Sequence, residues 1–140
     1  MVLFANATSY SQQNELEFLV SSIEKDIIID GISNEKEWDK AEWQSEFWLW
    51  RPNDSLKADK QTRFKILKNE KNLYILIELF SDGTKFSTPS LKRDFSTFGA
   101  DAITLLFDTF SDGTNAFSFT TNPLGLKNEG LISGGNQNFR

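Results

Sequence analysis

Apolar and polar residues alternate in two pairs of segments in the middle and later parts of the chain. The first pair is "TRFKIL" and "LYILIELF", separated by "KNEKN". The second pair is "AITLLFD" and "NAFSFTTN", separated by "TFSDGT". A period of two is typical of β-strands, and short segments rich in Asn, Asp and Gly between such runs favour hairpins. The pattern predicts two hairpins, with Leu73–Leu79 and residues 102–107 as central strands of an antiparallel β-sandwich.

The N-terminal half of the chain predicts shorter elements. "LEFLVSSI" and "DIIIDG" have the composition of short strands. "SNEKEWDKA" instead predicts a helix over residues 35–41, because Asn34 and Glu37 have the spacing of a capping box. Trp38 and Ala41 share one edge of this helix, and we expect Trp38 to anchor that edge in the core. The predicted fold class is therefore all-β, with one short helix.

All four Trp residues lie between positions 38 and 50. In "EFWLW", which predicts a strand, Trp48 and Trp50 share one face, and Phe47 and Leu49 share the other. An exposed Trp pair would suit stacking on a sugar or on a protein partner. The alternative is that the remainder of the parent protein covers these rings.

The pentapeptide F-S-D-G-T occurs at residues 80–84 and again at residues 110–114. Asp-Gly between alternating runs is a strong hairpin signal, because both residues tolerate a positive φ. The sequences around the two copies do not otherwise match, so we predict turn chemistry used twice rather than an internal repeat.

A calcium site is the alternative interpretation of the second copy. Asp108, Asp112 and Asn115 supply oxygens of the kind that calcium prefers. In the register of an EF-hand loop, however, Phe110 and Phe119 would occupy positions that require ligating oxygens. We therefore predict a structural turn and retain these three residues as candidate metal ligands.

Composition and charge exclude several classes of function. The chain has 140 residues, with 13 Phe, 4 Trp and neither Cys nor His. Without Cys and His it cannot form disulfides, zinc-thiolate sites or a Ser-His-Asp triad, and it lacks the usual axial ligands of haem. The formal net charge of -5, with scattered basic residues, argues against nucleic acid as a partner. No apolar run reaches the ~18 residues of a membrane span.

Residues 1–12 differ in character from the rest of the chain. "VLFANATSYSQQ" starts apolar and becomes small and polar, and Ser9 and Ser11 stand where a signal-peptidase site has small residues. We interpret this segment as the remnant of a signal peptide, which predicts an exported protein. A disordered leader is the alternative.

Three segments, in this order, resemble family 9 carbohydrate-binding modules. "IDGISNEKEWDKA" resembles their I-D-G-x-x-x-E-x-x-W opening, and "NLYILIEL" resembles their N-L-Y-hydrophobic strand. "RDFSTFGADAITLLFDTFSDGTNAFSFTTNPLG" resembles their R-D segment, D-x-hydrophobic strand, F-D turn and N-P-x-G segment. The version found here resembles the N-terminal modules of exported bacterial proteins whose remainder is similar to an outer-membrane β-barrel. The resemblance implies a periplasmic, outer-membrane-associated or extracellular location.

The resemblance extends over residues 26–140. Family members continue past the G-G-N segment with a Trp-rich strand and an E-x-x-I-P-F strand, whereas this sequence ends at "GGNQNFR". The resemblance therefore implies that residues 13–140 are one carbohydrate-binding-module-like β-sandwich, incomplete at its C-terminus.

The family implies a site in which aromatic rings hold the end of a sugar chain and polar side chains bind its hydroxyls. The residues assigned to this site are Phe98, Trp48, Trp50, Arg93, Asp101 and Asn122. Phe98 stands where the family has a stacking Trp, and the neutral Thr104 and Ser118 stand at charged contact positions. We therefore expect weak affinity, with a dissociation constant of ~1 mM or poorer.

Three functions compete. The first is a non-catalytic carbohydrate-binding-like module, with an oligo- or polysaccharide as its partner. The second is a structural or docking domain that packs against the remainder of the parent chain, and Phe98, Thr104 and Ser118 favour it. The third, a glycosidase, requires two paired carboxyl groups, whereas the hairpin carboxylates stand at turn positions. We therefore predict that the segment is not an enzyme and has no cofactor other than the calcium already considered.

Overall fold

The computed structural model describes residues 18–49, 55–83, 85–134 and 136–139. The elements of these residues are seven β-strands and one 3₁₀ helix. The chain divides into two compact units, Met1–Ser81 and Asp82–Arg140, and each unit contains one sheet. The predicted all-β fold class is confirmed, and two sheets built on antiparallel hairpins are the components of a β-sandwich.

The N-terminal unit contains a three-stranded sheet in the order β1-β2-β3. Its strands are β1 (Ser21–Ser22), β2 (Thr62–Lys68) and β3 (Leu73–Leu79). β2 and β3 are antiparallel over their whole length, which confirms the first predicted hairpin. The two residues of β1 pair in parallel with the end of β2. β2 is therefore the central strand of this sheet.

The alternation of β2 and β3 places apolar side chains on one face at the turn end of the hairpin. Leu67 and Tyr74 are directly paired, and Leu67 is 0% exposed. The buried core around this pair consists of Ile23, Ile27, Trp38, Ala41, Leu67 and Tyr74. Trp38 is 6% exposed, so the prediction that it is a core residue is confirmed.

The predicted helix is a 3₁₀ helix over Lys36–Lys40, and its predicted capping box is wrong. The residue preceding the helix is Glu35, in an extended conformation, and no side chain caps the first turn. Glu35 Oε1 accepts a hydrogen bond from the backbone N–H of Ile28 at 3.2 Å. A five-residue 3₁₀ helix offers little surface for capping, so its position depends on the burial of Trp38.

The strand predicted for "DIIIDG" is wrong. Ile27 is buried, but Ile28 and Ile29 are exposed, and the segment has no strand partner among the described residues. Asp30 accepts a hydrogen bond from the backbone of Ile32 at 2.8 Å, which gives a local turn instead of a ladder. A β-branched composition without alternation therefore did not produce a strand here.

Two other predicted strands are reduced to small remnants. Of "LEFLVSSI", only Ser21–Ser22 pairs, and residues 16 and 17 lie outside the described residues. "EFWLW" contributes one isolated bridge, between Trp48 and Lys57, and Trp50 lies outside the described residues. Glu46 has a φ of 73°, which interrupts an extended strand at this point.

A hydrogen-bonded network ties the segment after β1 to the turn between β2 and β3. Asp26 Oδ1 accepts hydrogen bonds from Tyr74 Oη and Asn69 Nδ2, both at 2.7 Å. Asn69 Oδ1 in turn accepts from the backbone N–H groups of Lys71 and Asn72, which fixes the turn. The hydrogen bond from Tyr74 is the main cause that lowers the pKa of Asp26 below its ordinary value of 3.8.

The C-terminal unit contains a four-stranded antiparallel meander in the order β4-β5-β6-β7. Its strands are β4 (Ile103–Phe107), β5 (Ala116–Thr121), β6 (Lys127–Ser133) and β7 (Asn136–Phe139). The pairing of β4 with β5 confirms the second predicted hairpin. β6 and β7 were not predicted from the sequence.

The predicted central positions of Leu73–Leu79 and residues 102–107 are wrong for the described strands. β3 and β4 each lie at an end of their sheet, whereas β2, β5 and β6 have strands on both sides. β1 joins the N-terminal sheet beside β2, and β6 joins the C-terminal sheet beside β5. An apolar strand composition therefore did not identify the central strands.

We expect Trp38→Ala to reduce the free energy of unfolding by ~3–5 kcal/mol, because it leaves a cavity in a small core. Urea unfolding followed by far-ultraviolet circular dichroism measures the change. Trp48→Ala is the matched control, since Trp48 is more than half exposed and its loss should change stability by only ~0.5 kcal/mol. Equal effects of the two substitutions would contradict the assignment of Trp38 to the core.

We expect Tyr74→Phe to weaken the acid dependence of stability that Asp26 causes. The folded pKa of Asp26 lies below its unfolded value, near 3.8. Its stabilising contribution is therefore complete above the unfolded pKa and is lost as the pH falls through the folded one. Urea unfolding at a series of acidic pH values measures this dependence. In an Asp26→Asn background, Tyr74→Phe should change it no further; an unaltered dependence in the single variant would contradict the assignment.

Candidate functional site

Two sugar-binding residues were predicted in the N-terminal unit, Trp48 and Trp50, and the structure describes Trp48. Its side chain is 57% exposed, and Lys57 Nζ lies 5.8 Å from the centroid of its ring. Lys57 Nζ also lies 2.8 Å from Glu46 Oε1 in an ion pair. The hydrogen bond from Lys57, together with its charge, lowers the pKa of Glu46. The Trp48 ring is thus held beside a neutral pair of charged side chains.

A surface cleft of about 320 Å³ contains this ion pair. Its lining residues are Ser45, Glu46, Lys57, Gln61, Thr62, Arg63 and Phe80. Phe80 follows the end of β3, and its side chain is 50% exposed. The sequence analysis assigned none of these residues to a site, because they come together only through the pairing of β2 with β3 and the bridge to Lys57.

Arg63 is the most constrained charged residue of the cleft. Its Nε and Nη2 atoms both donate to Glu78 Oε2, at 2.7 and 2.6 Å. Its guanidinium carbon lies 4.1 Å from the centroid of the Trp43 ring and 5.3 Å from that of Phe80. A cross-strand ion pair and two cation–π contacts therefore fix the direction of the guanidinium.

Lys65 lies one strand repeat further along the same face of β2. It is buried, and its Nζ donates to the backbone oxygen of Trp38 at 2.8 Å and lies 4.8 Å from the Trp43 ring. The basic residues that alternate in "TRFKIL" therefore line the interior face of the strand, between the apolar core and the cleft. This placement orders the Trp-rich segment against β2.

The predicted residues Phe98, Arg93 and Asp101 belong to the C-terminal unit. Phe98 is 92% exposed. Arg93 Nη2 lies 2.9 Å from Glu129 Oε2, and Asp101 Oδ2 accepts a hydrogen bond from the backbone of Ser87 at 2.7 Å. Both charged residues therefore have partners within their own unit, and the joint surface of Phe98 with Trp48 or Trp50 stays a prediction.

Asn122 is buried and organises the turn between β5 and β6. Its Oδ1 accepts hydrogen bonds from the backbone N–H groups of Leu124 and Leu126, both at 3.0 Å. Gly125, within the same turn, has a φ of 74°, which favours glycine. Asn122 Nδ2 has no hydrogen-bond partner among the described residues. The oxygen of this side chain is thus committed to the turn.

Thr104 and Ser118 lie on the same face of the C-terminal sheet. The Thr104 hydroxyl lies 2.8 Å from the hydroxyl of Thr120, and Ser118 is almost completely buried. Asn128, on the next strand of this face, is also buried and donates to the backbone oxygen of Phe95 at 2.9 Å. The Thr104–Thr120 pair and Asn128 Nδ2 therefore have partners on this polar face, whereas Asn128 Oδ1 is buried without a hydrogen-bond partner among the described residues.

The carboxylates of the second Asp-Gly turn accept hydrogen bonds from the turn itself. Asp108 accepts from the backbone of Phe110 at 3.1 Å and of Gly113 at 2.8 Å. Asp112 Oδ1 accepts from the backbone of Asn115 at 2.7 Å, and its Oδ2 accepts from the side-chain amide of Asn115 at 2.6 Å. These carboxylate oxygens stabilise the connection between β4 and β5, as the turn prediction requires.

The first copy of the motif differs from the second, because it follows β3 at the boundary between the two units and joins no pair of strands in the described residues. Across the described ranges, no group of three or more Asp, Glu, His or Cys side chains is arranged to hold a metal ion. The helix of the described part of the chain is also too short to cross a membrane.

We expect the carboxyl group of Asp112 to titrate at about 2, below its ordinary value of 3.8, chiefly because Asn115 donates to it. Its contribution to stability is present above pH 3.8 and is lost as the pH falls through about 2. A titration followed by the carboxyl-carbon resonance measures the pKa. Asn115→Ala should raise it towards 3.8. Millimolar calcium should leave the wild-type value unchanged, and a calcium-dependent decrease would indicate a metal site instead.

Comparisons of the chain with protein-family models, with curated proteins and with solved structures returned no match.

Proposed function

We propose that this chain is a non-catalytic carbohydrate-binding-like module of an exported protein. The observation that carries the proposal is the exposed ring of Trp48, which lies beside a cleft whose charged residues form ion pairs. Sugar rings stack their C–H faces on aromatic rings, and their hydroxyls hydrogen-bond to fixed polar groups. Phe98 offers a second exposed aromatic surface.

The carboxyl groups support a binding role over a glycosidase role. A glycosidase requires a general acid with a raised pKa, near a second carboxyl group. The pKa values of Asp26, Glu46 and Asp112 are instead lowered, by hydrogen bonds and by the charge of Lys57 or Lys71 where those residues are near. Such carboxylates are suited to accepting hydrogen bonds. The proposal includes export because the composition of residues 1–12 is typical of the end of a signal peptide.

The expected affinity for sugars is low. Phe98 provides less stacking area than a Trp would, and Trp48 is the single exposed Trp among the described residues. The Thr104 hydroxyl is already paired with Thr120, so it adds no charge-assisted bond to a ligand. We therefore expect a dissociation constant of ~1 mM or poorer.

A docking domain is the second candidate, and the apolar surface of the chain favours it. In the N-terminal unit, a cavity of about 490 Å³ is lined in part by Phe18, Phe64 and Ile66. In the C-terminal unit, Phe117 and Phe119 lie on one face of β5 and are each more than two-fifths exposed. Phe117 and Phe119 face Phe107 and Leu105 across the strand pair, and exposed apolar surface of this kind often contacts another protein.

Titration of the isotopically labelled chain with xylo- and cello-oligosaccharides, followed by nuclear magnetic resonance, tests the proposal. We expect progressive chemical-shift changes at millimolar sugar, because such weak complexes exchange rapidly. Calorimetry at the same concentrations should show no measurable heat. The absence of any shift change up to ~50 mM sugar would contradict carbohydrate binding and favour the docking domain.

Three alanine variants locate the stacking surface. Trp48→Ala and Phe98→Ala each remove an exposed ring that was assigned to the sugar site. Phe110→Ala is the matched control, because Phe110 is exposed in the Asp-Gly turn and was not assigned to it. Loss of binding in either of the first two variants, with binding retained in the control, supports aromatic stacking; an equal effect in all three contradicts it.

A further inference from the structure

The cleft beside Trp48 combines an aromatic ring with polar and charged side chains. Its volume of about 320 Å³ is at the lower end of the ~300–1,000 Å³ that small-molecule sites occupy. Phe80 presents a half-exposed ring, and Gln61, Thr62 and Ser45 add neutral polar groups to the lining. A space of this size suits one or two sugar rings.

The charges around the cleft favour a neutral ligand. Lys57 pairs with Glu46, and Arg63 pairs with Glu78, so each cation has a carboxylate within 2.8 Å. An anionic ligand would have to compete with these carboxylates, and a cationic one with the lysine and arginine. A neutral hydroxyl group, in contrast, can donate to a carboxylate oxygen and accept from an N–H group without breaking either pair.

The direction of the Arg63 guanidinium is set before a ligand arrives. Arg63 is held by Glu78 and by the rings of Trp43 and Phe80. A guanidinium has five N–H donors, and the contact with Glu78 uses one on Nε and one on Nη2. Glu46 has a φ of 73°, a backbone conformation that is uncommon outside glycine and clusters at ligand-binding positions. Fixed donors and acceptors reduce the ordering that a bound ligand would require.

We propose that this cleft binds a neutral saccharide unit, with a C–H face of the sugar on Phe80 and hydroxyls at Arg63 and at the Glu46–Lys57 pair. The inference rests on the proposed carbohydrate-binding function and gives that function a location within the N-terminal unit. Trp48, in contact with Lys57, supplies a second ring beside the cleft for a neighbouring sugar unit. The ligand class is therefore a short neutral oligosaccharide.

Substitution of Phe80 in both directions tests the location, with cellobiose and xylobiose as probes. Phe80→Ala should weaken binding about tenfold, because it removes the stacking face. Phe80→Trp should strengthen it severalfold, and a gain of affinity cannot come from a damaged fold. Phe110→Ala is the control and should leave the dissociation constant unchanged, because this exposed ring lies in the Asp-Gly turn and was not assigned to the sugar site. Shift changes in the wild type should include the backbone amides of Gln61 and Phe80.

The outcomes separate this inference from the function on which it rests. Sugar binding that is lost in Phe98→Ala and unaffected by both Phe80 variants would overturn the cleft and leave the carbohydrate-binding function standing. The absence of sugar binding in the wild type would overturn both. Binding of glucuronate but not of xylobiose, with a strong dependence on salt, would show an anion site at Lys57 and Arg63 and would also overturn the inference.

Discussion

The register between β2 and β3 is the constraint on which the N-terminal unit depends. It pairs Leu67 with Tyr74 in the core and Arg63 with Glu78 at the other end of the same face. Because side chains alternate strictly along a strand, a slip of one residue would turn Leu67 out of the core and would also separate Arg63 from its carboxylate. Core packing and the Arg63–Glu78 ion pair beside the cleft are thus two consequences of one pairing.

The parts of the fold that the sequence predicted are those in which alternation and a turn signal agree. β2, β3, β4 and β5 all have both signals. β6 lacks the alternation, because "KNEGLIS" has Asn128 at a buried position where an apolar residue would be expected. Asn128 donates a hydrogen bond to the backbone oxygen of Phe95 there. The Gly-Gly pair that follows β6 is a turn signal that could have located the hairpin with β7. "DIIIDG" fails in the opposite way, since its apolar residues do not alternate.

The residues of the candidate site also differ in whether the sequence could predict them. Exposure of Trp48 and Phe98 could be expected from the chain, because both lie in segments without a clear apolar partner. Arg63 and Phe80 are 17 positions apart, and Lys57 reaches Glu46 across a loop, so no local pattern connects these residues. They meet because β3 returns beside β2 and because Trp48 bridges to Lys57. A site assembled by strand pairing becomes visible only once the register is known.

The two groups of carboxylates in this chain show why a residue type alone does not identify a ligand site. Asp108 and Asp112 point into their own turn, where backbone N–H groups use their oxygens and hold the chain in its reversal. Glu46 and Glu78 instead bind side-chain cations on neighbouring segments, at Oε1 and Oε2 respectively. The turn carboxylates have several acceptor sites occupied by N–H groups of their own turn, whereas the carboxylates of the ion pairs bind cations of other segments at the surface. The ion pairs of the cleft are therefore better candidates for ligand contacts than the carboxylates of the acidic turn, even though the turn has the more conspicuous sequence.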